Sequence, residues 1–414
     1  MTTTISTVDR NVIRDLARRV ADVAAMPIQR QRVDAWKRHN ALRGERPLIL
    51  LFPEGAWREL LPEETLLCEH ADARGIEYAL RIRLYEHEHF RQDKPIEADW
   101  PVQKHVRSTG WGLEAQWHYA DEATGARTFN PILHTAADLK KIQAPQLTVD
   151  EASSRAALEF AQGLFGDLLT VRPVGVTHIS FHAMNWYTGW RGLEQTMMDM
   201  YENPGMLHEA MAIMQAGYES MLRQYEQLGL LTLNNDATYH NSGGVSYSDE
   251  LPQKDFTGTV RLCDMWASAE TQEFAQVSPE MHAEFALQYE KPLLAKFGLN
   301  GYGCCEDLTR KLDDVLTIPN IRRVSISPWA DVDRCAAQLK NQAIFSWKPH
   351  PAQVAGGFHP EAVRDNIRHT IDVCKQNGCT LEMILKDTHT CDGQTDRFDQ
   401  WTKIAEEEIA RAYP

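Results

Sequence analysis

The sequence predicts an α/β chain folded as a single (β/α)8 TIM barrel, and three observations carry that prediction. From residue 153 onward, short apolar runs alternate with helix-length amphipathic segments, the pattern of a parallel sheet. About eight such strand–helix units fit into 414 residues, the size of one barrel with insertions. No Gly/Ser/Pro-rich linker separates them, so residues 1–414 read as one domain. The runner-up is a doubly wound open sheet, and the absence of G-x-G-x-x-G after any strand weighs against its dinucleotide-binding form.

The elements follow in order. Residues 1–45 form an N-terminal helical extension, because Val12, Leu16, Val20 and Val23 recur at helical spacing over 8–42. Pro47–Pro53 reads as the first strand, Glu63–Ala73 as a helix, and Tyr78–Tyr85 alternates like a strand. Residues 94–150 have no long period and read as an inserted region of hairpins and loops. Helices are expected at Ser153–Phe165, Gly192–Met200, Pro204–Leu228, Pro279–Phe297, Leu308–Leu316, Val332–Leu339, Pro360–Asn377 and 396–412. Strands are expected at Leu168–Val174, Leu230–Asn234, a short run ending in Cys263-Asp264, Gly298–Cys304, Arg323–Ser327, Ile344–Lys348 and Leu381–Leu385.

Composition narrows the function. Lys and Arg total 43 against 58 Asp and Glu, a net charge of −15, which disfavours tracking a phosphate backbone, so no nucleic-acid partner is expected. No apolar run is long enough to span a membrane, and the N-terminus lacks a signal-peptide pattern. Eight scattered cysteines, two of them adjacent, point to a reduced, cytoplasmic protein.

In this barrel the chemistry sits at the C-terminal ends of strands. Two cysteines, Cys304 and Cys305, end one predicted strand and are followed by Glu306. His389 and Cys391 follow the last. Thiolate, carboxylate and imidazole donors together suit zinc, so Cys304, Cys305, Glu306, His389 and Cys391 are the candidate metal ligands. Strand parity favours Cys304 over its neighbour. Asp236, Glu306 and His240 are candidate catalytic groups. His178, Trp186, Asp264, Trp329, Lys348 and His350 are candidate substrate- or cofactor-binding residues. The plain alternatives are buried cysteines acting as small hydrophobes, helix-capping aspartates and core aromatics.

Several segments carry a family resemblance. Asp199-Met200-Tyr201-Glu202-Asn203-Pro204-Gly205-Met206-Leu207-His208, Asp264-Met265-Trp266-Ala267 with Val277–Phe285, and Leu339–Pro351 resemble the uroporphyrinogen decarboxylase superfamily from about residue 160 onward. The arginine-rich signature of the decarboxylases is replaced by Phe52-Pro53-Glu54-Gly55-Ala56-Trp57, so the resemblance is closer to the zinc- and corrinoid-dependent methyltransferase branch. In that branch Cys304 and Cys391 match two zinc-ligand cysteines, and Tyr302 stands where a histidine is expected. The resemblance implies a zinc-dependent methyltransferase moving a methyl group between a small methylated substrate or thiol and a corrinoid carried by a partner protein. It also implies a homodimer. The alternatives are a metal-independent decarboxylase or lyase, with Lys348, Arg191 and His350 holding carboxylates, and a non-catalytic corrinoid- or tetrapyrrole-binding protein.

Overall fold

The centre of the molecule is a parallel sheet of seven strands: β1 (Leu48–Leu51), β2 (Ser180–Phe181), β3 (Trp266–Ala269), β4 (Leu299–Tyr302), β5 (Ile321–Ile326), β6 (Ile344–Trp347) and β7 (Leu381–Leu385). They lie in the order β1-β7-β6-β5-β4-β3-β2, each neighbouring pair parallel. The structure is a computed structural model that describes residues 5–119, 127–240 and 243–414. β1, β3, β4, β6 and β7 are buried along their whole length, as expected of parallel strands covered on both faces.

Hydrogen bonds continue past both edges of this sheet. Beyond β1, the Asp93 amide donates to Ile49 O at 2.8 Å, and the Asp93 and Gln92 side chains accept from the Ile49 and Leu51 amides at 2.8 and 2.9 Å. Further on, Asp99–Gln103 pairs in parallel with Thr170–Val174, and Val176 bridges Leu231. The Asn234 side chain then takes the place of ladder bonds. It donates to Thr177 O and Trp266 O and accepts from the Trp266 amide at 3.0 Å.

Several expected elements differ. Tyr78–Tyr85 lies inside the helix Ala71–His89, whose buried residues Ala73, Glu77, Leu80 and Leu84 recur at helical spacing; the apparent alternation comes from Ile82, which falls between Leu80 and Leu84 but is off the buried face. The single N-terminal helix is two, Thr7–Ala24 and Pro27–Asn40, because Pro27 cannot continue the first and starts the second. Cys263-Asp264 precedes β3 in a tight turn instead of ending a strand. The inserted region does hold antiparallel pairs, His105–Ser108 with Leu147–Asp150 and Gln116–Tyr119 with Arg127–Asn130. Among the described residues no helix is long and apolar enough to cross a membrane.

The sheet is unusually polar at its heart. Arg323 of β5 and Glu382 of β7 are fully buried and paired at 3.0 Å, with the Arg323 guanidinium 5.1 Å from the Trp266 ring centroid. His39, at the end of Pro27–Asn40, sits 3.3 Å from the same carboxylate. Burial alone would push Glu382 up, but Arg323 and His39 outweigh it and hold its pKa down at about 2. Against this pair packs the hairpin of Tyr239–His240 and Gly243–Val245. Gly243 and Gly244 have φ of +127° and +62°, and a Cβ on either would strike Ser346, Glu382 or the Arg323 guanidinium.

Glu382→Gln should destabilise the protein by about 3 kcal/mol, because it leaves the Arg323 charge buried without its partner. Because the folded carboxyl titrates near 2 and the ordinary one near 4.5, the wild-type contribution is fully present above pH 4.5 and lost as pH falls toward 2. Urea unfolding at a series of pH values should show that acid loss in the wild type and a flatter limb in the variant.

Candidate functional site

The parallel strands direct their C-terminal ends to one edge, and the residues that immediately follow them converge there. Gly303 follows β4 with φ +85°, turning the chain so that Cys304 and Cys305 present their sulfurs side by side, 3.5 Å apart. Glu306 is wholly buried beneath them. Its carboxylate accepts from the Cys304 amide at 2.8 Å and the Thr271 amide at 3.2 Å, and burial pushes its pKa up. Glu306 therefore braces the cysteine loop through its backbone.

Lys386, the residue after β7, reaches the pair, with its Nζ 3.6 Å from Cys304 Sγ. Glu270, the residue after β3, meets the Cys304 thiol on the other side and lies 3.0 Å from His182 Nδ1. Each of these groups shifts the others. The Cys304 hydrogen bond lowers the pKa of Cys305 and Lys386 lowers it further, against the opposing effect of burial; the Cys305 contact and burial raise Cys304. The two sulfurs thus share one proton, and the pair gives up its first proton more readily than an ordinary thiol. Burial works against a charged Lys386, but Tyr239 and the two cysteines raise its pKa overall. Burial also raises Glu270, but His182 and Cys304 outweigh it, so the carboxylate stays ionised. Glu270 in turn raises His182 despite that ring's burial.

A buried polar chain supports this edge from behind β4. Tyr302 is fully buried and donates to Glu290 at 2.8 Å, while His282 Nε2 lies 2.9 Å from the Tyr302 hydroxyl. Thr271 donates to the other Glu290 oxygen at 2.8 Å, and burial raises Glu290 to about 7. Tyr302, which replaces the expected histidine, is committed to this network. On the sheet interior, burial lowers Lys348 to about 7, and its ammonium donates to Ser346 O and Oγ at 2.9 and 2.7 Å.

The expected ligand set is not brought together. Cys391 is buried elsewhere, its thiol and amide both donating to Glu59 Oε2, at 3.1 and 2.9 Å. Burial and Glu59 push that thiol up to about 12. His389 is exposed, and its carbonyl accepts from Arg58. The segment carrying both residues leaves β7 through Asp387, at φ +60°, and turns toward Glu54–Leu60. Among the described residues no three His, Cys, Asp or Glu side chains are grouped to hold a metal ion.

The other candidates separate into four places. His240 is buried in the hairpin, 5.8 Å from the Trp266 ring and 6.0 Å from His178, and burial holds it far below the ordinary histidine value. Asp236 is not at the thiol pair; it accepts from Arg172 at 3.0 Å and from Thr238, and lines a separate cavity of about 280 Å3. Asp264 lies at the opposite end of β3, fully buried, where it accepts from the Arg261 side chain and the Gln253 amide. Trp329 and His350 follow β5 and β6 and meet edge-to-face at 5.0 Å, while Trp186 stacks on Trp190 after β2. All three lie at the exposed rim.

Glu270, Lys386 and His182 were not among the residues singled out for chemistry. Glu270 directly follows Ala269 at the true end of β3, whereas the sequence pattern suggests a strand end at Cys263-Asp264.

No family model and no curated protein matches the chain. Among solved structures it is similar to a methyltransferase from Methanosarcina mazei, at 9% identity over 87% of this chain and 94% of that one, with a TM-score of 0.47.

The paired sulfurs should alkylate with a pH midpoint below the ordinary thiol value of about 8.5. Iodoacetamide labelling read by peptide mass spectrometry should show Cys305 or Cys304 modified first and Cys391 unmodified at about pH 9. Lys386→Met should move that midpoint upward. Unchanged titration in this variant would remove Lys386 from the site.

Proposed function

We propose that the chain is a methyltransferase built on a closed (β/α)8 barrel, with the Cys304–Cys305 pair as its working centre. The hydrogen bonds that continue from both edges of the seven-stranded sheet support the closed barrel. The single observation that carries the functional reading is the thiol pair at the sheet's C-terminal edge, with Lys386 on one side and Glu270–His182 on the other. The sequence resemblance to the methyltransferase branch points the same way.

The residues fit zinc in part. Two sulfurs 3.5 Å apart approach the separation of about 3.8 Å that two thiolates take on tetrahedral zinc, but among the described residues no third His, Cys, Asp or Glu is grouped with them to hold a metal. Bound there, zinc would keep a substrate thiol or oxygen deprotonated at neutral pH. In the reaction we derive from the side chains themselves, the thiolate shared by Cys304 and Cys305 attacks the methyl carbon of a small methylated donor. The S–C bond forms as the donor's bond to its heteroatom breaks, and His182, whose pKa Glu270 raises, gives its proton to the departing heteroatom. Transfer of the methyl to an acceptor breaks the S–C bond and restores the thiolate. The acceptor in this reading is a reduced, cobalt(I) corrinoid on a partner protein, which would supply the electron pair of the new bond, docked on the rim where Trp186, Trp329 and His350 are exposed.

The carboxylate-binding alternative loses a member. Arg191 is buried and fully engaged by Asp199 at 2.7 Å and by the Leu133 and His134 carbonyls.

His182→Asn should lower methyl transfer by roughly 10²- to 10⁴-fold. Cys305→Ala should abolish turnover, and Cys391→Ala should leave it near wild type in a folded protein. Steady-state assays with a panel of methylated amines, ethers and thioethers and a corrinoid acceptor test this. Full activity in Cys304→Ala/Cys305→Ala would sink the proposal.

A further inference from the structure

A cavity of about 640 Å3 opens beside the start of β1, between the helices Pro27–Asn40 and Asp396–Ala412 and the segment 87–93. It shares no lining residue with the thiol pair and lies toward the N-terminal end of the strands, opposite the edge that carries the cysteines.

Its wall has an unbalanced charge. Four arginines line it, Arg32, Arg38, Arg46 and Arg91, against three carboxylates, Glu45, Asp93 and Glu406. Arg46 pairs with Asp93 at 2.6 Å, Arg38 with Glu45 at 3.3 Å and Arg91 with Glu406 at 3.4 Å. That leaves Arg32 with no carboxylate within ion-pair distance among the described residues, although Asp93 acts on it electrostatically. Its guanidinium reaches only neutral oxygens, Lys94 O at 3.3 Å and Gln29 Oε1 at 3.4 Å. Burial pulls its pKa below the ordinary arginine value, as expected for a cation whose desolvation is not fully compensated. His87 lines the same space, and its Nδ1 is buried with no hydrogen-bond partner. The arginines of the wall thus outnumber its carboxylates, and the one left over lies on the cavity, which suits an anion.

The rest of the wall suits an organic body, because Ile28, Phe90, Ile409 and Tyr413 supply apolar and aromatic surface. A guanidinium fork matches phosphate oxygens two at a time, and a dianionic phosphate has oxygens left for His87 and Arg46. We propose that this cavity is a binding site for a small phosphate monoester, with Arg32 and His87 holding the phosphate and the apolar wall holding its organic part. The site is separate from the methyl-transfer centre and stands or falls independently of it.

Isothermal titration of the full-length protein with phenyl phosphate, inorganic phosphate and 3-phenylpropionate tests the proposal. Phenyl phosphate should bind saturably at one site per chain, more tightly than the other two. Arg32→Gln should weaken it about tenfold or more, and His87→Ala should also weaken it, in proteins whose circular dichroism matches wild type. Arg155→Gln, on an exposed helix away from the cavity, should bind as wild type does. No saturable binding, tighter binding of the carboxylate, or equal affinity in Arg32→Gln and wild type would each overturn the proposal.

Discussion

The one charge that organises this fold is the carboxylate of Glu382, ionised at the centre of the sheet. It faces Arg323 across β6, and it is approached from below by His39 at 3.3 Å. A buried ion pair of this kind holds only when both partners are precisely fixed, because each alone would be an uncompensated charge in the core. Fixing it orders what touches it. Asn40 donates to Val245 O and Tyr247 O and accepts from Arg323, so the helix Pro27–Asn40, the ion pair and the hairpin strand Gly243–Val245 are tied to one another. The opposite hairpin strand carries His240 and Tyr239, and Tyr239 acts electrostatically on Lys386 at the thiol pair. The line from core to site is therefore one of packed polar contacts.

At the site, the same logic of mutual compensation produces reactivity. Lys386 alone would be destabilised by burial, and two adjacent thiols alone would resist ionisation. Together one proton is given up, and the resulting thiolate offsets the ammonium. Glu270 and His182 form a second compensated pair on the far side of Cys304. Glu306, Thr271, Glu290, Tyr302 and His282 hold this edge of the sheet through hydrogen bonds to one another and to its backbone, behind the thiol pair. Cys391, hydrogen-bonded to Glu59 and pushed up to about 12, is chemically quiet by comparison.

Much of the frame was legible in the sequence. Leu381–Leu385, Val332–Leu339 and the terminal helix appear with the bounds their patterns suggested, because long, strongly periodic segments report burial directly. Tyr78–Tyr85 misled because a helix face and a strand face coincide over so few residues. The cysteine pair was legible as chemistry, since Cys304 and Cys305 are adjacent thiols at the end of the strand Leu299–Tyr302. Its partners were not. Whether Cys391 or Lys386 meets Cys304 depends on where the chain turns after β7, and Asp387, at φ +60°, sets that turn. A left-handed aspartate is not marked by any local pattern. Glu270 was hidden by a strand boundary displaced by a few residues, the least reliable feature of pattern reading.

The central claim is that the Cys304–Cys305 pair, and not Cys391, receives the methyl group. The most direct measurement is mass spectrometry of the protein after a single exposure to an isotopically labelled methyl donor without acceptor. Label is expected on the peptide that carries Cys304 and Cys305, removed when acceptor is added. Label on the Cys391 peptide, or turnover with no label on any cysteine, would contradict it.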